Sequence, residues 1–146
     1  MREILFRGKR ISNGKWIEGY YEYDESGQTT EEPTAYIYHL NNHPCGWFLI
    51  PYEVIPETVG QYTGLTDKNG KKIFEGDILE FSDRLVVVFW HAHLGCWDSN
   101  FLKYTNKENG KDDMSPSRWD YKSKVIGNIH DNPELLNETG CESNAE

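Results

Sequence analysis

A mainly β protein with very little helix is predicted by three features of the 146-residue sequence. Short alternating or wholly apolar runs recur along the chain, separated by clusters of Gly, Asn, Asp and Pro, which is the pattern of strands joined by turns. Aromatic side chains make up 14% of the residues although apolar residues in total reach only 37%, which suits a small β core built from few, large side chains. The stretch from residue 61 to 81 reads as strand, tight turn, strand, glycine corner and strand, and the rest of the chain is arranged around it.

The first strand is expected at residues 4–7, where the side chains alternate. Ser12-Asn13-Gly14 is a hairpin signal leading into a partner strand over residues 15–20, continued by Tyr21 and Tyr23. The acidic, Gly-containing segment 24–33 predicts an exposed loop. Strand character returns at residues 35–39, a second loop is expected at 41–46, and Trp47-Phe48-Leu49-Ile50 reads as a short buried strand ended by Pro51. Residues 52–59 have room for a helical turn that Pro56 keeps short. Together residues 1–56 form an N-terminal β meander, expected to need the second part of the chain as a packing partner.

In the central stretch, Asp67-Lys68-Asn69-Gly70 fits a type I turn followed by a left-handed glycine, with Asp67 bonding forward and Gly70 accepting a positive φ. Glu75-Gly76-Asp77 then turns the chain into residues 78–81. Residues 85–90, Leu-Val-Val-Val-Phe-Trp, are apolar on both faces and predict a strand packed inside and covered outside. Gly95-Cys96-Trp97 opens a further strand reaching Tyr104, and the polar segment 106–117 is expected to be mobile. Order should resume near Trp119. Residues 124–129 read as the closing strand, with Gly127 allowing a bend or a close backbone approach. Residues 131–136 fit a capped helical turn, and 137–146 a disordered tail.

Three motifs carry a family resemblance. The run Tyr62-Thr63-Gly64-Leu65-Thr66-Asp67-Lys68-Asn69-Gly70-Lys71-Lys72-Ile73-Phe74-Glu75-Gly76-Asp77-Ile78-Leu79 resembles the core signature of the YopX-like proteins of phages and prophages. The opening Met-Arg-Glu-Ile-Leu-Phe-Arg-Gly and the segment from Val125 to Leu136 are similar to that family's start and end. The resemblance implies an SH3-like small β-barrel over residues 57–136 and a phage or prophage origin in a bacterium. It implies no activity and no catalytic residues.

A net charge of −9 argues against nucleic acid as the direct ligand, since groove-filling binders are usually basic, and fits an acidic surface meeting a basic partner. The exception is local: residues 1–15 carry five basic side chains against one acid, and Arg2, Arg7, Lys9 and Arg10 could form a weak phosphate-binding stripe or the charged edge of a strand. Cys45, Cys96 and Cys141 are odd in number and far apart, so a reducing compartment is expected rather than a disulfide framework. The charged N-terminus predicts no secretory signal, and no apolar run has the length of a membrane span.

Two chemistries compete for the function. His91-Ala92-His93 with Cys96 is the most metal-like cluster, because residues two apart on a strand share a face; His39, His43, Cys45 or His130 would have to complete it. No nucleophile elbow, Walker motif or dinucleotide fingerprint is present, so no cofactor and no catalysis are expected. The aromatic excess points instead to recognition. Trp97, Tyr104 and Trp119 lie beside predicted loops and are the candidates for a ligand groove, with Trp90 assigned to the core. The expected function is a non-catalytic interaction module, binding a host or phage protein in the bacterial cytoplasm, with exposed β edges favouring a homo-oligomer as well. The alternatives are a metal-dependent enzyme built on His91, His93 and Cys96, or nucleic-acid binding through the basic N-terminal strand.

Overall fold

The computed structural model describes residues 3–26, 32–81, 84–105 and 115–137. The fold is mainly β, as the turn-punctuated pattern predicts, and it divides into two compact units, Met1–Tyr62 and Thr63–Glu146. In the first unit β1 (Phe6–Lys9), β2 (Trp16–Asp24), β3 (Thr34–His43) and β4 (Gly46–Val54) run antiparallel in chain order. The start of β5 (Gly60–Thr66) pairs with the other side of β1, which leaves β4 as the end strand.

The β1–β2 turn follows its sequence signal: Gly14 takes a φ of 68°, and the Asn13 side chain accepts the Lys15 N–H at 2.9 Å. One face of the meander is the core. Ala35, Ile37 and Val54 are wholly buried there, with Phe6, Ile17 and Val59 packed against them. Burial of each such branched side chain stabilises the unit by about 1.5–3 kcal/mol. Gly19 is needed within β2, since a Cβ there would run into the Tyr38 carbonyl. The end of β4 returns to β1: the Ile11 N–H donates to the Glu53 carbonyl at 3.1 Å and the Ile55 N–H to the Lys9 carbonyl at 2.9 Å. A 3₁₀ turn at Pro56–Thr58 follows, with Thr58 Oγ1 donating to the Ile55 carbonyl and accepting the Lys9 N–H.

Two expectations for this unit are corrected. The loop expected at 41–46 shrinks to Pro44-Cys45, because β3 runs on to His43 and β4 starts at Gly46; the Asn41 side chain, read as loop chemistry, donates to the Tyr52 hydroxyl at 2.9 Å and ties the two strands together. Pro51 does not end the strand, and Trp47, Phe48 and Leu49 are exposed rather than buried. An edge strand accommodates proline because only its inner N–H groups serve the ladder.

The second unit begins with the hairpin of β5 and β6 (Lys72–Phe74). It continues with an open sheet of β7 (Asp77–Phe81), β8 (Arg84–His91), β9 (Cys96–Tyr104) and β10 (Lys124–Asn128), in the order β10-β7-β8-β9. Among the described residues two short helices, α1 (Trp119–Lys122) and α2 (Glu134–Asn137), supply the helical content besides 3₁₀ turns. The hairpin turn is the predicted type I turn with a glycine bulge: the Gly70 N–H donates to the Asp67 carbonyl at 3.0 Å, the Asp67 N–H to the Lys71 carbonyl at 2.8 Å, and Gly70 has a φ of 79°.

The Asp67 side chain does more than cap this turn. Its Oδ1 accepts the N–H groups of Asn69 and Lys71 at 2.8 and 2.9 Å, and its Oδ2 accepts the N–H of Val125 in β10 at 2.9 Å. Burial pushes the carboxyl pKa up, but these backbone donors, Val125 first, together with the Lys71 charge hold it below its ordinary value. The Lys68 N–H donates to the Ser123 carbonyl alongside. Among the described residues the hairpin is thus joined to β10 by the Asp67 carboxylate, and to the residue before β10 by the Lys68 main-chain bond, rather than by a ladder. Neither sheet closes among the described residues, so the closed SH3-like barrel is not seen.

The core of this unit gathers Ile73, Leu79, Phe81, Val86, Val88, Trp97, Trp119 and Val125. At the second glycine corner Gly76 has a φ of 88°, and Asp77 Oδ2 accepts the Phe74 N–H at 2.7 Å. Gly127 sits at a bulge in β10, where a Cβ would collide with the Asn132 side chain, the close approach that its position suggested. Most of the segment expected to be mobile, 106–114, and most of the expected tail, 138–146 with Cys141, lie outside the described residues, as does Arg2.

Candidate functional site

The residues singled out for a ligand groove are not brought together. Trp119, on α1, is wholly buried, and Trp97 is 9% exposed; both belong to the core cluster rather than to a groove wall. Trp90, assigned to the core, is instead 43% exposed and stands edge-on to its cross-strand partner Trp97, with ring centroids 5.1 Å apart. The exchange follows from position: Trp90 lies at the rim of the β8–β9 hairpin, and proximity to a loop does not say which way a ring faces. The Trp97 Nε1 is buried with no hydrogen-bond partner among the described residues. Tyr104 does lie on the surface, against Phe101 and within 5.7 Å of the Arg84 guanidinium.

The metal-like cluster is not assembled either. His91 and Cys96 face each other across β8 and β9, and the His91 and His93 rings are 6.4 Å apart, edge to face. His91 Nδ1 accepts the Leu94 N–H at 3.2 Å. Among the described residues no group of three or more His, Cys, Asp or Glu is placed to hold a metal ion. Of the residues offered to complete a site, His43 lies 3.6 Å from the Cys45 thiol, and His39 Nδ1 donates to the Glu18 carbonyl at 2.7 Å. The basic N-terminal residues split by ring partner: Arg7 and Lys9 turn to Trp16, whereas Arg10 lies 4.4 Å over the Tyr52 ring.

A different surface emerges from the first unit. In β3 and β4 alternate residues share a face. The face carrying Ile37 and Val54 is core. The opposite face presents Tyr36, Tyr38, Leu40 and Asn42 from β3, and Trp47, Leu49, Pro51 and Glu53 from β4. The register sets these in rows across the sheet: Asn42 beside Trp47, Leu40 beside Leu49, Tyr20 and Pro51 on either side of Tyr38, and Glu22 and Glu53 on either side of Tyr36. Trp47 is 64% exposed, Tyr20 61%, Leu49 51% and Leu40 50%. The face therefore grades from apolar at the Trp47 end to acidic at the Glu53 end. Burial and the neighbouring Glu22 carboxylate raise the pKa of the Tyr38 phenol, whose Oη lies 3.5 Å from Glu22 Oε1.

Contiguous exposed apolar surface rimmed by charge is what an interaction site presents to its partner. Its side chains stand on paired strands, so a ligand meets a sheet surface rather than a loop. The sequence carried one overlooked signal for it. Pro51 within the apolar run demotes that run to an edge strand, which has a main-chain edge to spare.

Comparison with known proteins adds kinship. The YopX protein family matches residues 5–137. The crystal structure of protein EF1440 from Enterococcus faecalis is similar at 25% identity with a TM-score of 0.54, over 93% of this chain and 99% of that one. No curated protein matches the chain.

Proposed function

The chain belongs to the YopX protein family, and from that premise, together with the exposed face of β2, β3 and β4, we propose that it is a non-catalytic interaction module for a protein partner. The observation that carries this reading is the ladder of rows from Trp47 and Leu49 to Glu22 and Glu53, left uncovered although burying it would remove several large apolar side chains from water. The grading predicts a partner that is apolar where it meets Leu40, Leu49 and Trp47, and basic where it meets Glu22 and Glu53. A net charge of −9 would speed that encounter.

The proposed setting is the cytoplasm of a bacterium, with a host or phage protein as the target. The motifs shared with phage and prophage proteins support the origin, and the free, exposed thiols of Cys45 and Cys96 suit a reducing compartment. The test is affinity capture from extracts of lysogenic bacteria. Wild type and Leu94→Ser, a control at an exposed leucine in the second unit, should retain one partner that Trp47→Ser and Leu49→Ser lose. Equal capture by all four proteins would overturn the reading.

A further inference from the structure

The face described above ends at an open strand edge, and the main chain of that edge has its own chemistry. In an antiparallel edge strand every second residue turns its N–H and C=O away from its neighbour. The Glu53 carbonyl and the Ile55 N–H are taken by Ile11 and Lys9, on the side of β4 away from β3, so the odd-numbered residues of β4 are the outward ones. Trp47, Leu49 and Pro51 therefore aim their main chain outward. They are also the residues whose side chains stand on the exposed face. Over this stretch β4 is the end strand of its sheet among the described residues. Trp47 and Leu49 each offer one donor and one acceptor there, while Pro51 offers a carbonyl alone.

We propose that β4 receives an extended segment of the partner protein as an added strand, docked on Trp47 and Leu49 and stopped at Pro51. That segment carries large apolar residues at alternate positions and lysine or arginine at the end beside Glu53, with the Glu22 carboxylate, two strands further in, adding to the same negative field. This rests on the interaction-module reading and gives its partner a chemistry. Main-chain bonds supply affinity without regard to sequence, and the alternate side chains supply the choice. The edge at Glu53 is taken by Ile11, so the basic residue of the ligand lies beside Pro51, about two residues from the apolar one beside Leu49, and its side chain spans the remaining distance of about 7 Å to Glu53 at a rise of about 3.3 Å per residue. A second copy of this chain fits less well. Two β4 strands paired antiparallel set no positive charge against Glu22 or Glu53, and each copy carries −9.

The probes are nine-residue, end-blocked peptides of alternating valine and threonine, ended by two lysines or by two glutamates, titrated onto isotope-labelled protein. The lysine peptide should shift the Trp47 and Leu49 amide signals saturably and bind at least about tenfold tighter than the glutamate peptide. Leu49→Pro removes an outward donor without touching the ladder to β3, and should abolish binding in a protein that keeps its spectral dispersion. The lysine peptide N-methylated at alternate residues tests the same bonds without altering the protein, and should not bind. The double change Glu22→Gln and Glu53→Gln should erase the preference for lysine. No binding of any peptide, equal binding of the two charge forms, or full binding by the N-methylated form would overturn strand addition. So would a wild-type dimer dispersed by Leu49→Pro, which would make the occupant a second copy. Capture that survives Leu49→Pro but is lost in Trp47→Ser would keep the interaction module and remove the added strand. Capture indifferent to both would remove the two together.

Discussion

The apolar runs of β4 and β8 look alike in sequence and end differently in space. Trp47-Phe48-Leu49-Ile50 and Leu85-Val86-Val87-Val88 are both uncharged, β-prone and bounded by turn residues. In β8 the run is inside: Val86 and Val88 are wholly covered, with β7 on one side and β9 on the other. In β4 the run is outside and, among the described residues, paired with β3 alone. Hydrophobicity says that a segment is worth burying, and strand order decides whether its own chain buries it. Where it does not, the unspent apolar area is available to another molecule.

Changes on the two sides should therefore separate stability from binding. The largest effect is expected at Trp119, where Trp119→Ala empties a fully buried site and should cost about 3–5 kcal/mol, read as a lowered denaturation midpoint. Phe48→Pro should cost about 3 kcal/mol, since it removes an inward donor to β3; Leu49→Pro, one residue on, should cost far less. Asp67→Asn replaces the oxygen facing the Val125 N–H with a donor, or forfeits the two turn bonds if the amide flips, and should cost about 1.5–3 kcal/mol.

Acid should mimic that last change. The Asp67 pKa is lowered in the fold, so its contribution is fully present above the unfolded carboxyl value of about 3.9 and is lost as pH falls through the lower folded value. The stability gap between wild type and Asp67→Asn should close over that window and stay constant above it. The smallest effect is at the exposed face, where Trp47→Ser should change stability by about 0.5 kcal/mol or less while abolishing partner capture. A fall in melting temperature as large as that of Trp119→Ala would show the face to be covered.

Trp97 sharpens the comparison from the buried side. Its Nε1, without a hydrogen-bond partner among the described residues, offsets part of what the ring contributes. Trp97→Phe, which removes the orphan donor and keeps most of the apolar surface, should cost about 1 kcal/mol or less, against about 3 kcal/mol or more for Trp97→Ala. Equal losses for the two would mean that the indole nitrogen is satisfied in solution.

The turns were the most legible part of the sequence. Asp67-Lys68-Asn69-Gly70 and Ser12-Asn13-Gly14 specify local backbone geometry that no distant contact has to confirm. Strand existence was legible for the same reason, and the 3₁₀ turn at Pro56–Thr58 fell where proline allowed one. Exposure was not legible. Trp90 and Trp119 exchanged roles because burial depends on which elements converge, and period-two patterns fix only which residues share a face. The candidate surface was hidden by the same gap: its rows join Tyr20, Tyr38 and Pro51 from three strands, a register that no single strand contains. The closed barrel expected from kinship is not seen among the described residues, where Asp67 links its hairpin to β10 at a point rather than along an edge.

That point contact has a bearing on synthesis. Asp67 and Val125 are 58 residues apart, so the carboxylate has no strand to grip until nearly the whole unit has left the ribosome. A nascent chain halted before β10 would present a formed turn with an ionised, water-bound side chain. Its release would convert a local bend into the clasp of the unit.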